Sequence, residues 1–290
     1  MKTVTTIAGL RSITEATRRA DGTVGFVPTM GFFHEGHVSL MRSARAAHDL
    51  VVVSLFVNPT QFGPNEDLAA YPRDPEGDAR AASDAGVDVL FTPSVEEMYP
   101  RPSLTTVTVS DLTTGLCGAS RPHHFAGVAT VVAKLFSIVG PCTAYFGNKD
   151  FQQRQVVRRM VADLDLPVTV VGCPIVREPD GLAMSSRNAY LEPDERAAAT
   201  VLSRSLACAT ALAARGERDP GVVRAAAVDA IATESLARLD YAEVVRADDL
   251  APVERLEAGV EHVVALAVVL GRTRLIDNAT FTPSGTDAAL

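Results

Sequence analysis

Two histidines three residues apart follow a short apolar run and a glycine-containing turn. The segment reads VPTMGFFHEGH and ends in His34 and His37. A helix that begins just after a parallel strand presents free backbone N–H groups and partial positive charge, and both suit a phosphate. Because that field disfavours imidazolium, we expect both histidines to act mainly as neutral hydrogen-bond donors to phosphate oxygens. A helical zinc site needs histidines at i and i+4, so this i,i+3 pair does not predict zinc.

Two further polar segments could contact the same anion. Lys149, one of only three lysines, lies in the turn GNKD, where a flexible cation could neutralise charge on a transferred phosphate. Asp150 is suited to cap the helix that follows. In the run GLAMSSRN, Ser185 and Ser186 are adaptable donors and Arg187 is a bidentate clamp, which together could wrap a polyphosphate. The three segments jointly predict a polyphosphate site.

The elements that must position these residues alternate between strand and helix. Buried strands are predicted by near-continuous apolar runs at 24–27, 51–57, 87–91, 144–146 and 168–171. Helices are predicted between and after them, at 36–48, 75–85, 125–139 and 151–163. This pattern predicts an α/β fold, a Rossmann-like parallel sheet with helices on both faces. Ligands of such sheets bind at the carboxyl ends of the strands, where the three polar segments lie.

A second, smaller domain is predicted after the Pro- and Gly-rich segment 176–187, which we interpret as a hinge. Its elements are two helices at 193–215 and 220–235 and three strands at 241–246, 263–270 and 274–278. The predicted organisation is therefore a domain over 1–175, a smaller α+β domain over 176–283 that closes over the site, and a disordered tail over 284–290.

Composition narrows the class of protein. The 290 residues include 47% hydrophobic and 21% charged residues, which excludes intrinsic disorder. A net charge of −8 disfavours a protein that mainly binds nucleic acid or an anionic membrane. We find no secretory leader, no membrane-spanning run, no P-loop and no G-x-G-x-x-G fingerprint. The four dispersed cysteines predict reduced, buried thiols, and we expect a cytoplasmic protein.

Six motifs together resemble one enzyme family. PTM…HEGH, FVNPTQF, YPRD, RPHHFAGVATVVAKLF, YFGNKDFQQ and REPDGLAMSSRN occur in order between about residues 24 and 192. They resemble the pantoate–β-alanine ligases, members of the HxGH nucleotidyltransferase superfamily. The resemblance implies ATP-dependent condensation of pantoate with β-alanine through pantoyl adenylate, giving pantothenate, AMP and pyrophosphate. It also implies Mg²⁺ bound mainly through ATP phosphates, and a homodimer formed by the larger domain.

The resemblance also implies roles for individual residues. Catalytic roles fall to His34, His37, Lys149 and Arg187. The residues placed at ATP are Met30, Gly31, Phe32, Phe33, His34, Glu35, Gly36, His37, Gly147, Asn148, Lys149, Asp150, the Val176 backbone, Met184, Ser185, Ser186 and Arg187. Gln61 and Gln153 would bind pantoate, and Gln61 also β-alanine. Neutral amides suit that task, since a full positive charge would weaken the attacking carboxylate.

Some positions leave alternatives open. Asn148 stands where many relatives have glutamate, and Asp78 is a possible but undetermined Mg²⁺ ligand. Arg121 could meet a phosphate or form a structural salt bridge, and neither His123 nor His124 receives a role. Among functions, the alternatives are a sister nucleotidyltransferase and a catalytically silent nucleotide-binding scaffold. A tRNA synthetase is disfavoured by the acidic charge and by the lack of an anticodon-binding extension.

Overall fold

The computed structural model of the protein describes residues 1–64 and 66–284. The predicted tail over 284–290 therefore lies outside the described residues, apart from Ser284. The chain forms two compact units. The first contains Met1–Thr113, Gly118–Asn148 and Gln153–Val176, and the second contains Thr114–Cys117, Lys149–Gln152 and the chain from Arg177 onwards. Two short segments that lie before residue 176 in the sequence thus belong to the second unit.

The first unit is built on a parallel sheet of six strands in the order β1-β4-β3-β2-β5-β6. The strands are β1 (Lys2–Val4), β2 (Val24–Thr29), β3 (Leu50–Leu55), β4 (Val89–Phe91), β5 (Cys142–Gly147) and β6 (Val168–Cys173). The five predicted strands are confirmed with shifts of a few residues at their ends. Strand β1 was not predicted, because only Val4 of its three residues is buried.

Within the described part of the chain, seven α-helices lie before residue 176 and connect these strands. They are α1 (Ile7–Arg19), α2 (Glu35–Ala47), α3 (Pro75–Asp84), α4 (Val95–Met98), α5 (Cys117–Ser120), α6 (His124–Val139) and α7 (Phe151–Asp163). The four predicted helices are confirmed as α2, α3, α6 and α7. Helix α1 was not predicted, because its apolar face is narrow and only Leu10 and Thr14 are buried.

Helices cover both faces of this sheet, as the sequence predicts. On one face, Met41 of α2 and Ala82 of α3 share a buried cluster with Val27 of β2. On the other face, Phe136 of α6 packs edge-on against Phe26, with 6.3 Å between ring centroids. Phe26 and Val27 are neighbours in β2, and successive strand residues point to opposite faces. The alternation of side chains along β2 thus separates two apolar layers.

The strand order places a ligand crevice beside β2. Chain connections run from β2 outwards to β3 on one side, whereas β5 and β6 lie on the other side. Such a switch point opens a crevice at the carboxyl ends of the central strands. The residues that follow these ends are Met30 after β2 and Asn148 after β5.

The second unit packs helices on a small antiparallel sheet. Its elements are α8 (Pro193–Ala198), α9 (Val201–Ala214), α10 (Pro220–Ala232), β7 (Ala237–Arg246), β8 (His262–Leu270) and β9 (Thr273–Phe281), with the strands in that order. The helices and one face of the sheet enclose a core that includes Leu202, Leu206, Ile231, Leu266 and Leu270. The predicted α+β class of this region is confirmed.

The prediction of a single helix over 193–215 is wrong, because the helix is interrupted at Ala199 and Thr200. Both residues keep helical backbone angles, with φ of −59° and −61°. The amide of Thr200 donates to the carbonyl of Ala197, an i,i+3 bond that tightens the turn.

The segment Pro193–Ala214 is long and apolar enough to cross a membrane. This is weak evidence for a membrane span, because the core helices of globular proteins pass the same test. In this protein, apolar residues of Pro193–Ala214 pack into the core of the second unit.

All four cysteines are free thiols. Cys117 and Cys173 are buried, as predicted, whereas Cys142 is half-buried. Cys208 is exposed on α9, so the prediction of burial is wrong at this position. Its place on the outer face of α9 follows from the helical period, which turns Leu206 and Ala209 inwards.

Candidate functional site

The turn between β2 and α2 has two consecutive residues in the left-handed region. Gly31 has φ of 90° and Phe32 has φ of 54°. A left-handed conformation is costly for a bulky residue and persists only where neighbouring structure fixes it. Asp78 of α3 does so, since its two carboxylate oxygens accept hydrogen bonds from the amides of Phe32 at 2.8 Å and Phe33 at 2.6 Å. The acid therefore shapes the turn that precedes the histidines.

This geometry changes the interpretation of Asp78. Its side chain is buried, with 2% of the residue exposed, and both oxygens already accept backbone hydrogen bonds. Burial raises the pKa of Asp78, while the hydrogen bonds from Phe33 and Phe32 act in the opposite direction. The position offered as a possible Mg²⁺ ligand thus has a structural contact on each oxygen. Its role as the anchor of the turn was not predicted from the sequence.

The two histidines form the amino-terminal cap of α2. The Nδ1 atom of His34 accepts from the amide of Gly36 at 3.1 Å, and Nδ1 of His37 accepts from the amide of His34 at 3.4 Å. The rings lie 4.2 Å apart. Because Nδ1 acts as an acceptor in both rings, the proton of each neutral imidazole is placed on Nε2. In the neutral form of each ring, Nε2–H is therefore a hydrogen-bond donor, and its predicted role toward phosphate stays a prediction.

Glu35, predicted at ATP with the rest of this turn, has an exposed side chain. It forms an ion pair with Arg42 on the next turns of α2. The carboxylate also lies in the first turn of the helix, where negative charge is favourable. Its side chain thus has a local structural partner, whereas its backbone amide belongs to the helix start.

Gln61 is held from both ends of its amide. The residue follows β3 in a short 3₁₀ turn (Pro59–Gln61) and is 7% exposed. Its Oε1 accepts from Nδ2 of Asn58 at 3.2 Å, which fixes the orientation of the amide. Its Nε2 donates to the thioether of Met30 at 3.1 Å. A thioether is a weak acceptor, so a substrate oxygen could replace it.

The backbone of Gln61 is held by the segment that opens α6. Nδ1 of His124 lies 3.0 Å from the Gln61 carbonyl, and because a carbonyl only accepts, the imidazole must donate this bond. A Cβ on Gly127 would lie 2.6 Å from the Gln61 Cα, so only glycine permits this approach. The sequence predicts no role for His124. Its contact identifies it as a support for Gln61.

Arg121 forms the structural salt bridge that was one of its two alternatives. Its Nε donates to Glu66 at 2.8 Å, and a second guanidinium nitrogen contacts the other carboxylate oxygen. Burial alone would raise the pKa of Glu66, but the hydrogen bond and charge of Arg121 outweigh it and hold the pKa below its ordinary value. Arg121 also reaches the Gln61 carbonyl at 3.5 Å.

The neighbouring glutamines of α7 have different environments. Gln152 is buried, accepts from the amide of Cys117 at 3.0 Å and donates to the carbonyl of Gly115 at 2.9 Å. These contacts make Gln152 a structural bridge. Gln153, predicted to bind pantoate, is half-buried. The difference separates two adjacent residues of the same type that the sequence alone does not distinguish.

The end of β5 leads into a 3₁₀ turn (Asn148–Asp150) before α7. Among the described residues, no atom lies within 4 Å of a Cβ built on Gly147, so its backbone borders open space. Asn148 accepts from a guanidinium nitrogen of Arg154 at 2.5 Å. The side-chain amide of Asn148 thus has an arginine partner within the first unit. Asp150 is exposed and immediately precedes the first residue of α7.

In the second unit, Lys149 and the serine-rich loop (residues 181–188, GLAMSSRN) share a small recess. It is lined by Lys149, Leu182, Ala183, Ser185, Asn188, Leu202, Leu275, Ile276 and Asp277. Ser185 caps the 3₁₀ turn Ser186–Tyr190 by accepting from the amide of Arg187 at 3.3 Å. Met184 and Arg187 are half-buried and Ser186 is buried. Two of the three predicted phosphate segments therefore meet in this unit.

The residues that hold these segments in place were not predicted from the sequence. Asp277 and Asn278 of β9 contact Arg177 and Lys149 respectively. Within the first unit, Met30 and Gln61 are brought together, and His34 lies beside His37. Val176, whose backbone was predicted at the adenine, is half-buried at the end of the first unit. The roles of these residues toward substrates stay predictions.

A parallel α/β sheet whose crevice turn carries an H-x-G-H helix cap is the arrangement of an enzyme that binds an anion such as a nucleotide phosphate at the start of a helix. Comparison with known proteins makes this class specific. The sequence profile of the family Pantoate-beta-alanine ligase matches residues 2–280. The chain belongs to the pantoate–β-alanine ligase family, whose enzymes form pantothenate. The recognition made from the six motifs is thereby confirmed.

Individual relatives agree with this assignment. The chain is 59% identical to the pantothenate synthetase of Heliobacterium modesticaldum over 275 residues, covering 94% of this chain and 97% of that one. The crystal structure of pantothenate synthetase from Thermus thermophilus has a TM-score of 0.89 at 48% identity, covering 96% and 99% of the two chains. The ligase from Francisella tularensis, solved with beta-gamma ATP and beta-alanine, has a TM-score of 0.79 at 33% identity, covering 98% and 100%.

Proposed function

We propose that the protein makes pantothenate in two steps through a pantoyl adenylate. In the first step a carboxylate oxygen of pantoate attacks the α-phosphorus of ATP and pyrophosphate leaves. In the second step the amine of β-alanine attacks the acyl carbon, loses a proton and displaces AMP. Adenylation supplies the leaving group that a carboxylate lacks, so one hard substitution becomes two easier ones.

The helix cap of α2 is the observation that carries this proposal. The Nε2–H groups of its two histidines and the partial positive charge of the helix start suit the phosphates of ATP. His34 and His37 would donate to phosphate oxygens and offset negative charge as pyrophosphate leaves. The complex of the Francisella ligase with beta-gamma ATP and beta-alanine supports ATP and β-alanine as substrates here.

Lys149 and Arg187 would supply the positive charge of the same step. An ammonium and a guanidinium neutralise charge that grows on the transferred phosphorus. Ser185 and Ser186 would donate to the triphosphate. Gln61 would exchange its weak thioether acceptor on Met30 for an oxygen of pantoate or β-alanine, and Gln153 would bind pantoate.

Magnesium is expected as part of the nucleotide substrate. Within residues 1–64 and 66–284, no three His, Cys, Asp or Glu side chains are grouped to hold a metal ion. Mg²⁺ prefers to keep waters and to bind substrate phosphates. The ion would therefore bind to ATP phosphate oxygens, where it offsets negative charge.

We also propose that the protein is a cytoplasmic homodimer.

Pyrophosphate exchange tests the proposed order of steps. With MgATP and pantoate but no amine, the enzyme should exchange labelled pyrophosphate into ATP, because adenylation does not need β-alanine. Adding β-alanine should release pantothenate and AMP in equal amounts. The measurement is radiolabel in ATP, followed by chromatography of products.

The alternatives give different products in the same assay. An acyl-phosphate ligase would release ADP and orthophosphate, since attack would fall on the γ-phosphorus. A scaffold would bind ATP without exchange, and a sister nucleotidyltransferase would ignore pantoate. Absence of pantoate-dependent exchange in folded protein that binds ATP would therefore refute the mechanism.

Gln153→Ala is expected to weaken pantoate binding and to leave ATP binding nearly unchanged. Loss of one buried hydrogen bond costs about 1–3 kcal/mol. Calorimetric titration of each substrate measures the two affinities. Gln152→Ala is the matched control: it removes two structural hydrogen bonds and should lower the melting temperature without a selective effect on pantoate. An equal loss of ATP affinity in Gln153→Ala would mean that Gln153 holds the protein rather than pantoate.

A further inference from the structure

We propose that Asp277 and Asn278, neighbours in β9, are positioning residues that hold Lys149 and the serine-rich loop in register. The proposal rests on the proposed function, since it assumes that Lys149 acts on ATP phosphates. Both residues are buried, with 2% and 4% of their surfaces exposed. Buried polar side chains in a core strand are costly unless they make hydrogen bonds. Here the bonds reach the two phosphate segments.

Asn278 holds Lys149 by its backbone. The Nδ2 of Asn278 donates to the Lys149 carbonyl at 2.9 Å. Strand β9 is itself fixed by pairing with β8, where Asn278 lies opposite Ala265. The hydrogen bond thus ties the turn that carries Lys149 to a rigid strand. It restrains the main chain and leaves the ammonium group to meet a ligand.

Asp277 holds the start of the serine-rich loop. Its Oδ2 and Oδ1 accept from the two terminal nitrogens of Arg177 at 2.6 and 3.0 Å, a bidentate pair. The same guanidinium donates to the carbonyl of Gly181 at 3.0 Å. Arg177 also pairs with Ala183 in an isolated antiparallel bridge. The ion pair therefore closes the loop just before the run Met184–Arg187.

The contacts of Asn278 with Lys149 and of Asp277 with Arg177 together form one clamp. Successive residues of a strand point to opposite faces, so Asp277 and Asn278 reach different segments. Oδ1 of Asp277 also accepts from the Asn278 amide at 2.8 Å, which couples the two residues. Lys149, Ser185 and Asp277 all line the recess described above. Strand β9 therefore sets the spacing of Lys149 and the loop, and a 1 Å misplacement of charge can lower a rate by about 10².

Asn278→Ala tests the clamp at Lys149. We expect kcat for pantoate-dependent pyrophosphate exchange to fall about 10- to 30-fold, with KM for pantoate changed less than twofold. Thr280→Ala, an exposed position in the same strand, is the matched control and should keep the wild-type rate. A wild-type kcat in Asn278→Ala, alongside an impaired Lys149→Ala, would overturn the positioning role and leave the proposed function standing. No exchange in the wild-type enzyme would instead refute the proposed function.

Asn278→Asp separates positioning from folding. An ionised Asp at this position would repel the Lys149 carbonyl, whereas a protonated Asp could donate the missing hydrogen bond. The ratio of variant to wild-type kcat should therefore rise as the pH is lowered. If Asn278→Ala is too unstable to assay, this ratio decides, and a ratio that does not vary with pH would overturn the proposal.

Discussion

Lys149→Ala is expected to lower kcat/KM for pantoate-dependent pyrophosphate exchange by ~10²–10³, or about 3–4 kcal/mol. The described hydrogen bond of Lys149 to β9 uses its carbonyl, which the substitution keeps. Removal of the side chain should therefore leave the fold intact and remove only charge that offsets the leaving pyrophosphate. A transition-state effect of this kind lowers kcat and kcat/KM together.

Steady-state exchange kinetics and thermal unfolding measure the two consequences separately. Lys2→Ala is the matched control, since Lys2 is exposed in β1 and should be replaceable without loss of rate. Lys149→Arg should recover only part of the rate, because a planar guanidinium presents its charge differently from an ammonium. A wild-type rate in Lys149→Ala would remove this residue from the mechanism.

The architecture could be predicted wherever burial is recorded in the sequence pattern. Strands β2 and β3 lie inside the sheet and are near-continuous apolar runs in the sequence, so their composition and length identify them. Strand β1 and helix α1 are only partly buried, and their composition therefore resembles that of a loop. The turn at Ala199 was also missed, because its residues keep helical angles and helix-forming side chains.

The candidate site was predictable where the chemistry lies in a continuous motif. The cap formed by His34 and His37 depends on neighbours two and three residues apart, so one short motif contains both partners. The residues that hold the site's segments in place are different, because their partners are distant in sequence. Asp78 holds a turn 45 residues away, and Asn278 holds a carbonyl 129 residues away. Such pairs exist only once the chain has folded, and a single sequence does not identify them.

The segment Lys149–Gln152 illustrates the same limit at the level of domains. It lies between β5 and the rest of α7, yet it belongs to the second unit. Gln152 explains this placement, because its side chain bonds the backbone at Gly115 and Cys117 of the same unit. A boundary drawn from composition is a single cut in the chain. It cannot represent a unit assembled from three separate segments.

Asp78→Ala is expected to lower the free energy of unfolding by about 3 kcal/mol or more, since each of two hydrogen bonds to a charged acceptor contributes about 1.5–3 kcal/mol. The amides of Phe32 and Phe33 would lose their acceptors. The left-handed turn would then relax and move the cap that begins at His34. We therefore expect a loss of exchange activity in the fraction of protein that stays folded.

Asp74→Ala is the matched control, because Asp74 is the exposed cap of the same helix and accepts from the Gly77 amide at 2.9 Å. Loss of such a cap costs about 1 kcal/mol and should leave activity unchanged. Denaturant titration and exchange kinetics on both variants decide the question. Asp78→Asn should recover little, because its amide presents one acceptor and turns a donor towards the second N–H. If Asp78→Ala costs no more than Asp74→Ala and keeps its rate, the turn is held by its own sequence and not by this acid.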